Sequence, residues 1–562
     1  MTSGVRTGAF VVTSALALFG ATSAAQARTI APTVFFDGMS NTGNCTLREA
    51  VQASNTNAAV DACPAGHADK RDTIELGAGE YNLTVDGNLD DANATGDLDM
   101  TFDTGPLRIR GLGMDTTVID AEHDDRVIES LSIFSFLTIE SLTALGNEER
   151  VLSGGVISTE GAMALDGVEV ADGEAQFGGG VSCSGCDGVK IIDSLIRDNH
   201  ATASSTGSPG VKARGGGVSA SGDGLVMRNT TVRSNEAVAN DSPALGGGIY
   251  LRGSADIRGS TIQNNDARSS TNSNALSSVR SGGGIHVDDD FVLATVQIAN
   301  STIGGNVASF TGHSSSGGGI AVTGDVALGV TATTFSNNNA SFGTQISALS
   351  GGEMEVAGSI LASSSNSVPC AQSSGKIKSK GYNVLDAQPP PSAACLDGQA
   401  SAKDVIAEPE ISVIPFNNGG PTATHSISAD SPAIDLVPKS KCIGAGKSDQ
   451  RGVGRPAGKG CDAGSYERTT CAGSLISGLS IFGTAGKDDL SGTAGVDVFA
   501  PSAGADRING GDGDDRICGG SGDDRLKGGD GADQLVGGKG SDDCDGGPGN
   551  DSGKSCEKEK SL

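Results

Sequence analysis

The chain has no tryptophan, four tyrosines and only 3% aromatic residues. The flat stacking surfaces that sugar grooves and nucleic-acid platforms draw on are therefore scarce. Basic residues are few as well: 39 Lys and Arg face 68 Asp and Glu, a formal charge of −29 over 562 residues. Such a chain is a poor partner for nucleic acid or anionic lipid, whose phosphates call for clustered Lys and Arg. Its natural small partners are cations. The six histidines, His67, His123, His200, His286, His313 and His425, form no H-E-x-x-H or other close pair, which argues against a catalytic zinc. There is no G-x-S-x-G and no glycine-rich turn ending in Lys-Ser/Thr, so neither a nucleophile elbow nor a nucleotide loop is present. Beyond residue 27 no run reaches the ~20 apolar residues of a spanning helix.

What the chain does have is glycine, 86 residues of it, together with 12 cysteines. Residues 1–27 read as a secretory signal: Arg6 supplies the charge, residues 9–20 the apolar stretch and Ala25-Gln26-Ala27 the cleavage pattern, so the mature chain starts near Arg28. Export permits disulfides. Sequence neighbours suggest Cys45–Cys63, Cys370–Cys395, Cys442–Cys461 and Cys544–Cys556, although spacing alone leaves the connectivity open. Cys183 and Cys186 lack both a thioredoxin-like context and two further zinc ligands, and suit a local disulfide.

The middle of the chain repeats. A glycine triplet followed by Val or Ile recurs at residues 178–181, 215–218, 246–249, 282–285 and 317–320, with steps of 37, 31, 36 and 35 residues. Each is followed by a second signature, beginning at Asp193, Asn229, Gly259, Asn300 and Ala332, and a weaker copy starts at Gly358. Short β-branched runs make strands of three to five residues, and glycines bend the chain between them. The asparagine closing each signature (Asn199, Asn235, Asn265, Asn306, Asn338) tolerates a left-handed turn and can bond its equivalents in the next coil. With no helical pattern between the strands, this describes a parallel β-solenoid of about ten coils. Its variable loops, such as residues 201–209 and 269–280, lie on one side.

These G-G-G-I…N-S-T-I-x-x-N repeats resemble the right-handed parallel β-helix proteins. Cys45-Thr46-Leu47-Arg48-Glu49-Ala50 resembles the C-S-L-R-E-A motif that opens many exported members, with Thr46 in place of Ser. Residues 418–422, Ser431-Pro432-Ala433-Ile434-Asp435, Asp449-Gln450-Arg451-Gly452 and residues 461–467 resemble the closing module of the choice-of-anchor type. The resemblance covers residues 28–467 and implies fold far more than activity.

From Gly483 to Lys554 the chain divides into eight nine-residue units without a gap. Each has Asp at its sixth place, from Asp488 to Asp551, and six have an apolar eighth residue. This resembles the G-G-x-G-x-D-x-U-x pattern of RTX calcium-binding repeats. The glycines make a tight turn with carbonyls facing inward, the Asp adds a carboxylate, and the aliphatic packs the interior. Calcium takes six to eight oxygens, which stacked turns can supply. The expected ligand residues are Asp506, Gly510, Asp512, Gly513, Asp515, Gly519, Gly522, Asp524, Gly528, Asp530, Gly531, Asp533, Gly537, Gly540 and Asp542. The segment holds 15 Asp against 7 Lys and Arg, so without a cation it is expected to be largely disordered. RTX proteins commonly leave the cell by a C-terminal signal. An N-terminal signal here implies that the repeats serve structure or binding.

Two acidic groups invite other readings. Asp124-Asp125 and Asp288-Asp289-Asp290 could be the paired carboxylates of a β-helix glycosidase, but read as solvated turn residues. The acidic run 86–99 could hold a cation, yet lacks EF-hand spacing.

The expected architecture is all-β: a signal peptide (1–27), a right-handed parallel β-helix with its C-T-L-R-E-A cap (28–405), a β-rich closing module (406–470), and a calcium-binding β-roll with charged tail (471–562). The expected function is a secreted or cell-surface calcium-binding protein without catalysis, adhering to matrix or polysaccharide. The alternative is a polysaccharide lyase or glycoside hydrolase.

Overall fold

The structure is a computed structural model. It describes residues 28–562 apart from 69, 88–91, 102–104, 123–124, 135, 148–150, 186–187, 204–211, 223, 271–277, 290–293, 312, 364–366, 387–400, 402, 419, 446, 469, 472–473, 476–479, 483–485 and 501–503. The signal segment, Asp124, Asp290 and Cys395 lie outside the described residues.

The chain winds into a parallel β-helix. Ten strands, from Leu98–Met100 to Cys370–Ser373, stack into one parallel sheet. The residue after each glycine triplet sets the register, so that Val181, Val218, Ile249, Ile285 and Ile320 lie in one column. Every one is buried inside the coil. The second signatures form another interior column, Ile196, Val232, Ile262, Ile303, Phe335 and Leu361. A narrow tube of such columns is how a chain of 36% hydrophobic composition builds one continuous core.

The asparagine expectation is met for the ladder and displaced for the turn. Asn199, Asn235, Asn265 and Asn306 each donate their side-chain Nδ2 to the Oδ1 of the next coil's asparagine, at 2.8–2.9 Å. Asn338 ends the run on Gln345 at 2.6 Å. The left-handed residue is the one before: Asp198, Ser234, Asn264, Gly305 and Asn337 have φ of 50–67°. That corner turns the chain so the following amide points inward, where it can stack. The glycine triplets clear the space. A Cβ on Gly180, Gly217, Gly248 or Gly284 would press into the ladder amides.

At the N-terminal end, the helix Leu47–Thr56 caps the tube and buries Leu47, Ala50, Val51 and Ala53. Thr46 accepts the Glu49 N–H at 3.1 Å while Glu49 accepts the Thr46 N–H at 3.0 Å, a reciprocal cap that Ser or Thr can make. Arg48, fully buried, meets Asp37 with two bonds of 2.8 Å and donates to the carbonyls of Gly96 and Asp97 at 2.6 Å. The Cys45–Cys63 disulfide holds the helix start.

The segment after Ile406 carries less strand than the sequence suggests. Its named strands are the two-residue antiparallel pair Val437–Pro438 and Gly460–Cys461, closed by the Cys442–Cys461 disulfide. It is held by side chains instead, lying over an outward column of Thr261, Thr302 and Thr334 that it buries. Thr261 donates to the Ala423 carbonyl at 2.7 Å, Thr302 to Gln450 at 2.8 Å, and the Ser465 N–H reaches Thr334 at 2.9 Å. Arg451 is the buried knot, bonded to Asp449 at 2.7 and 2.9 Å and stacked 3.6 Å from the Tyr466 ring centre. Polar and positioned by a partner surface, this motif has no period that marks strands.

The C-terminal repeats form two five-stranded parallel sheets, one ending in Ser552–Lys554 and the other in Lys558–Lys560. Arg507 pairs Arg525 and Arg516 pairs Gln534, so two nine-residue units make one coil. Phe499, Ile508, Ile517, Leu526, Leu535 and Cys544, the eighth residues, form the buried core between the sheets. The charged tail is part of this fold. Lys558 pairs Asp543 across a coil shorter than the others, tied by the Cys544–Cys556 disulfide. Cys183, Cys370 and Cys518 are also disulfide-bonded.

Candidate metal centre

The sixth-position aspartates divide the work of their two oxygens. Oδ1 accepts the backbone N–H of the equivalent aspartate one coil back: Asp515 from Asp497, Asp524 from Asp506, Asp533 from Asp515 and Asp542 from Asp524, at 2.8–2.9 Å. Oδ2 is buried without a hydrogen-bond partner in Asp506, Asp515, Asp524, Asp533, Asp542 and Asp551. Buried carboxylate oxygens ordinarily find a donor, since leaving one bare costs on the order of 1–3 kcal/mol or more. A row of six at one repeat position is a site for something positive.

The glycines explain themselves against these oxygens. A Cβ on Gly510, Gly519 or Gly528 would collide with Oδ2 of Asp515, Asp524 or Asp533, and equally with the carbonyl of Gly528, Gly537 or Gly546 one coil on. Gly537 stands in the same relation to Asp542 and the Ser555 carbonyl. The first glycine of each unit thus leaves room where a carboxylate and a carbonyl converge. Gly511, Gly513, Gly522, Gly531 and Gly540, at second and fourth places, have φ between 112 and 143°, a range that other residues rarely adopt. Gly513, Gly522, Gly531 and Gly540 also face the carbonyl of the fourth residue one coil back.

In five aspartates, from Asp506 to Asp542, burial is the main cause of a raised pKa, opposed by the backbone N–H and reinforced by like charge. Asp506 and Asp515 are pushed up to about 6. Asp524, Asp533 and Asp542 are raised in the same sense. Oxygen-only donors, carboxylates with carbonyls in one turn, suit calcium, a hard cation of six to eight ligands.

Two departures mark the edges of the site. Asp497 has Thr493 where the repeat calls for a second glycine, and its Oδ2 accepts the Thr493 N–H at 2.6 Å and hydroxyl at 3.0 Å. That oxygen is satisfied by the chain itself. At the other end Glu557 replaces an aspartate, accepting the Asp542 N–H at 2.7 Å across the shortened coil. Asp512 and Asp530 sit in register at exposed strand ends, outside the buried column. Sequence reasoning passed over Asp551 and Glu557 as site residues, along with the fifth-position Asp514 and Asp523, which accept the N–H groups of Ala532 and Ser541 at 2.8 and 2.9 Å.

Residues 482–517, 492–526 and 519–552 match the RTX calcium-binding nonapeptide repeat. The match lies within the C-terminal repeats, and no curated protein matches the chain. Among solved structures, it is similar to pectate lyase Pel9A, with 14% identity over 80% of this chain and 98% of that one, at a TM-score of 0.39. It is also similar to the PL6 family alginate lyase AlyGC, with 11% identity over 86% of this chain and 70% of that one, at a TM-score of 0.23.

The β-helix holds a second acidic group. Carboxylate oxygens of Asp97, Asp99 and Glu129 lie within 4.8 Å of one another. Burial and the nearby Asp99 and Asp125 push Asp97 up to about 9. Here a protein cation is already present, for Arg126 lies 3.4 Å from Asp97, 3.1 Å from Asp125 and 2.5 Å from Glu129. Asp125 is accordingly a buried partner of Arg126, which corrects its reading as a solvated turn residue. Asp288 and Asp289 are half-buried and accept from Thr323 and the Asp325 N–H, both at 2.8 Å.

Proposed function

We propose that the chain is a calcium-binding β-solenoid protein of the cell exterior, non-catalytic, with an adhesive or matrix role. Calcium is held in the repeats by Asp506, Asp515, Asp524, Asp533 and Asp542 with carbonyls of the turn glycines, and Asp551 extends the column. The observation that carries this is the row of buried, unpartnered Oδ2 atoms at one repeat position. The negative charge stacked in that column supports folding of the repeats on calcium binding, at the ~10⁻⁴–10⁻³ M affinities of extracellular modules. Twelve cysteines and several disulfides support an oxidising compartment.

Calcium titration of the full chain, followed by hydrogen exchange of peptides within 504–552, tests the reading. Millimolar calcium is expected to slow exchange there and leave the β-helix unchanged; identical exchange with and without calcium overturns it. The lyase or hydrolase alternative gains nothing from Asp97, Asp99 and Glu129, since Asp97 and Asp99 are buried and Arg126 already pairs with Asp97 and Glu129. New reducing ends or unsaturated products from a polysaccharide panel would revive it.

A further inference from the structure

A cavity of about 290 Å³ opens between the last β-helix coils and the segment that packs over them, and its rim is basic in a strongly acidic chain. Lys380 and Lys403 come from the coil side, Lys441 and Arg455 from the overlying segment. Asp462 is the single carboxylate among the described lining residues, and it is committed to the backbone N–H groups of Asp435 and Arg468, at 2.7 and 2.6 Å.

The cations are not equivalent. The Arg455 side chain is buried and donates to the carbonyls of Asp462 and Gly464 at 2.7 Å, with Glu467 3.4 Å away. Lys380 pairs with Glu355 at 2.8 Å. Lys403 and Lys441 are exposed and have no carboxylate partner among the described residues. The Lys403 ammonium lies 5.2 Å from the ring centre of Tyr382, which packs on Val437 and the Cys442–Cys461 disulfide. Behind the two lysines the wall is therefore apolar, with one aromatic face.

Neither ammonium group meets a carboxylate among the described residues, and the weak cation–π contact of Lys403 with Tyr382 leaves both free to receive an anion. The cavity is at the small end of the range for ligand pockets. Its complement is a small ring with carbon–hydrogen faces and one negative charge. We propose that the cavity binds a carboxylate-bearing sugar unit of an acidic polysaccharide, its carboxylate between Lys403 and Lys441 and its ring against the wall of Tyr382 and Val437. This site is separate from the calcium repeats and stands without them.

The test is calorimetric titration of the full chain with digalacturonate, run in chelator so that calcium bridging at the repeats cannot contribute. Binding is expected, and a Lys403→Ala/Lys441→Ala chain is expected to lose at least tenfold in affinity. Both lysines are exposed, and an unchanged urea midpoint verifies that the variant is folded. Cellobiose, the neutral arm, is expected not to bind. No binding of digalacturonate, or equal binding by the variant, overturns the proposal. Inorganic phosphate binding as tightly as digalacturonate overturns the sugar assignment.

Discussion

Replacing Asp515 by Asn separates the two duties of that side chain. Asn keeps an Oδ1 to accept the Asp497 N–H, now at 2.8 Å, and removes the charge from the buried Oδ2 position. Without calcium the charge is a burden: burial, with Asp533 and Asp497 nearby, raises the carboxyl from 3.8 to about 6. At 1.36 kcal/mol per pKa unit this is about 3 kcal/mol. Water at the turn surface screens part of it, so ~1–2 kcal/mol is the expected gain in calcium-free stability for Asp515→Asn. With calcium the same substitution removes an anionic ligand. At saturating calcium, each tenfold loss of affinity takes ~1.4 kcal/mol from the stabilisation that calcium confers. The assay is the opening free energy of peptides spanning 504–533, from hydrogen exchange with and without 5–10 mM (roughly ten times the weaker affinities of such modules) calcium. The variant should be steadier than the native chain in chelator and should gain less from calcium. A destabilised variant in chelator, or an unchanged gain from calcium, refutes the reasoning.

Acid should partly replace the cation. Because Asp506 and Asp515 have native pKa values raised to about 6, the calcium-free repeats bind more protons folded than unfolded between about pH 4 and 6. Their stability therefore falls as pH rises through that window, and thermal melts in chelator should show the repeats more stable at pH 5 than at pH 7. Protons compete for the same oxygens, so calorimetric calcium affinity should fall over the same interval as pH is lowered. In the β-helix, Asn265→Ala strips the acceptor from both the Asn235 N–H and its Nδ2 at 3.0 and 2.9 Å, and removes the donor to the Val232 carbonyl. Urea denaturation should report a loss of about 2–4 kcal/mol, with no change in calcium affinity.

Periodicity made much of this molecule legible. The glycine triplets and second signatures recur at coil length, so strands, interior columns and the ladder residues could be read before any coordinate. What escaped the reading lies between coils. The left-handed residue sits one place before Asn199, Asn235, Asn265, Asn306 and Asn338 because the inward amide must follow the corner, and both positions favour the same residue types. The Oδ1 bonds of the repeats join aspartates two units apart, so a nine-residue frame shows each one without its double role. Glu557 lies past the frame, where the disulfide closes a shortened coil. Asp97 and Glu129 meet only because winding brings successive coils side by side, and the Thr261, Thr302 and Thr334 column is outward until residues 406–468 cover it.

The β-helix and the C-terminal repeats use one device with different endings. In the β-helix each ladder asparagine accepts the backbone N–H of the preceding coil with Oδ1, as Asn265 does for Asn235 at 3.0 Å. Its other atom, Nδ2, donates to the Val232 carbonyl and the next asparagine. In the repeats Asp506, Asp515, Asp524, Asp533, Asp542 and Asp551 accept the preceding coil's N–H in the same way, but the other atom of each is a second oxygen with no donor to meet. Exchanging NH2 for O⁻ turns a self-satisfied stack into one that must be completed from solution. The asparagine ladder is completed by the chain's own donors and acceptors, while the aspartate row leaves oxygens that only a proton or a cation from solution can complete. On the calcium reading proposed above, such a chain would fold its β-helix without the cation and complete its C-terminal roll where calcium is plentiful.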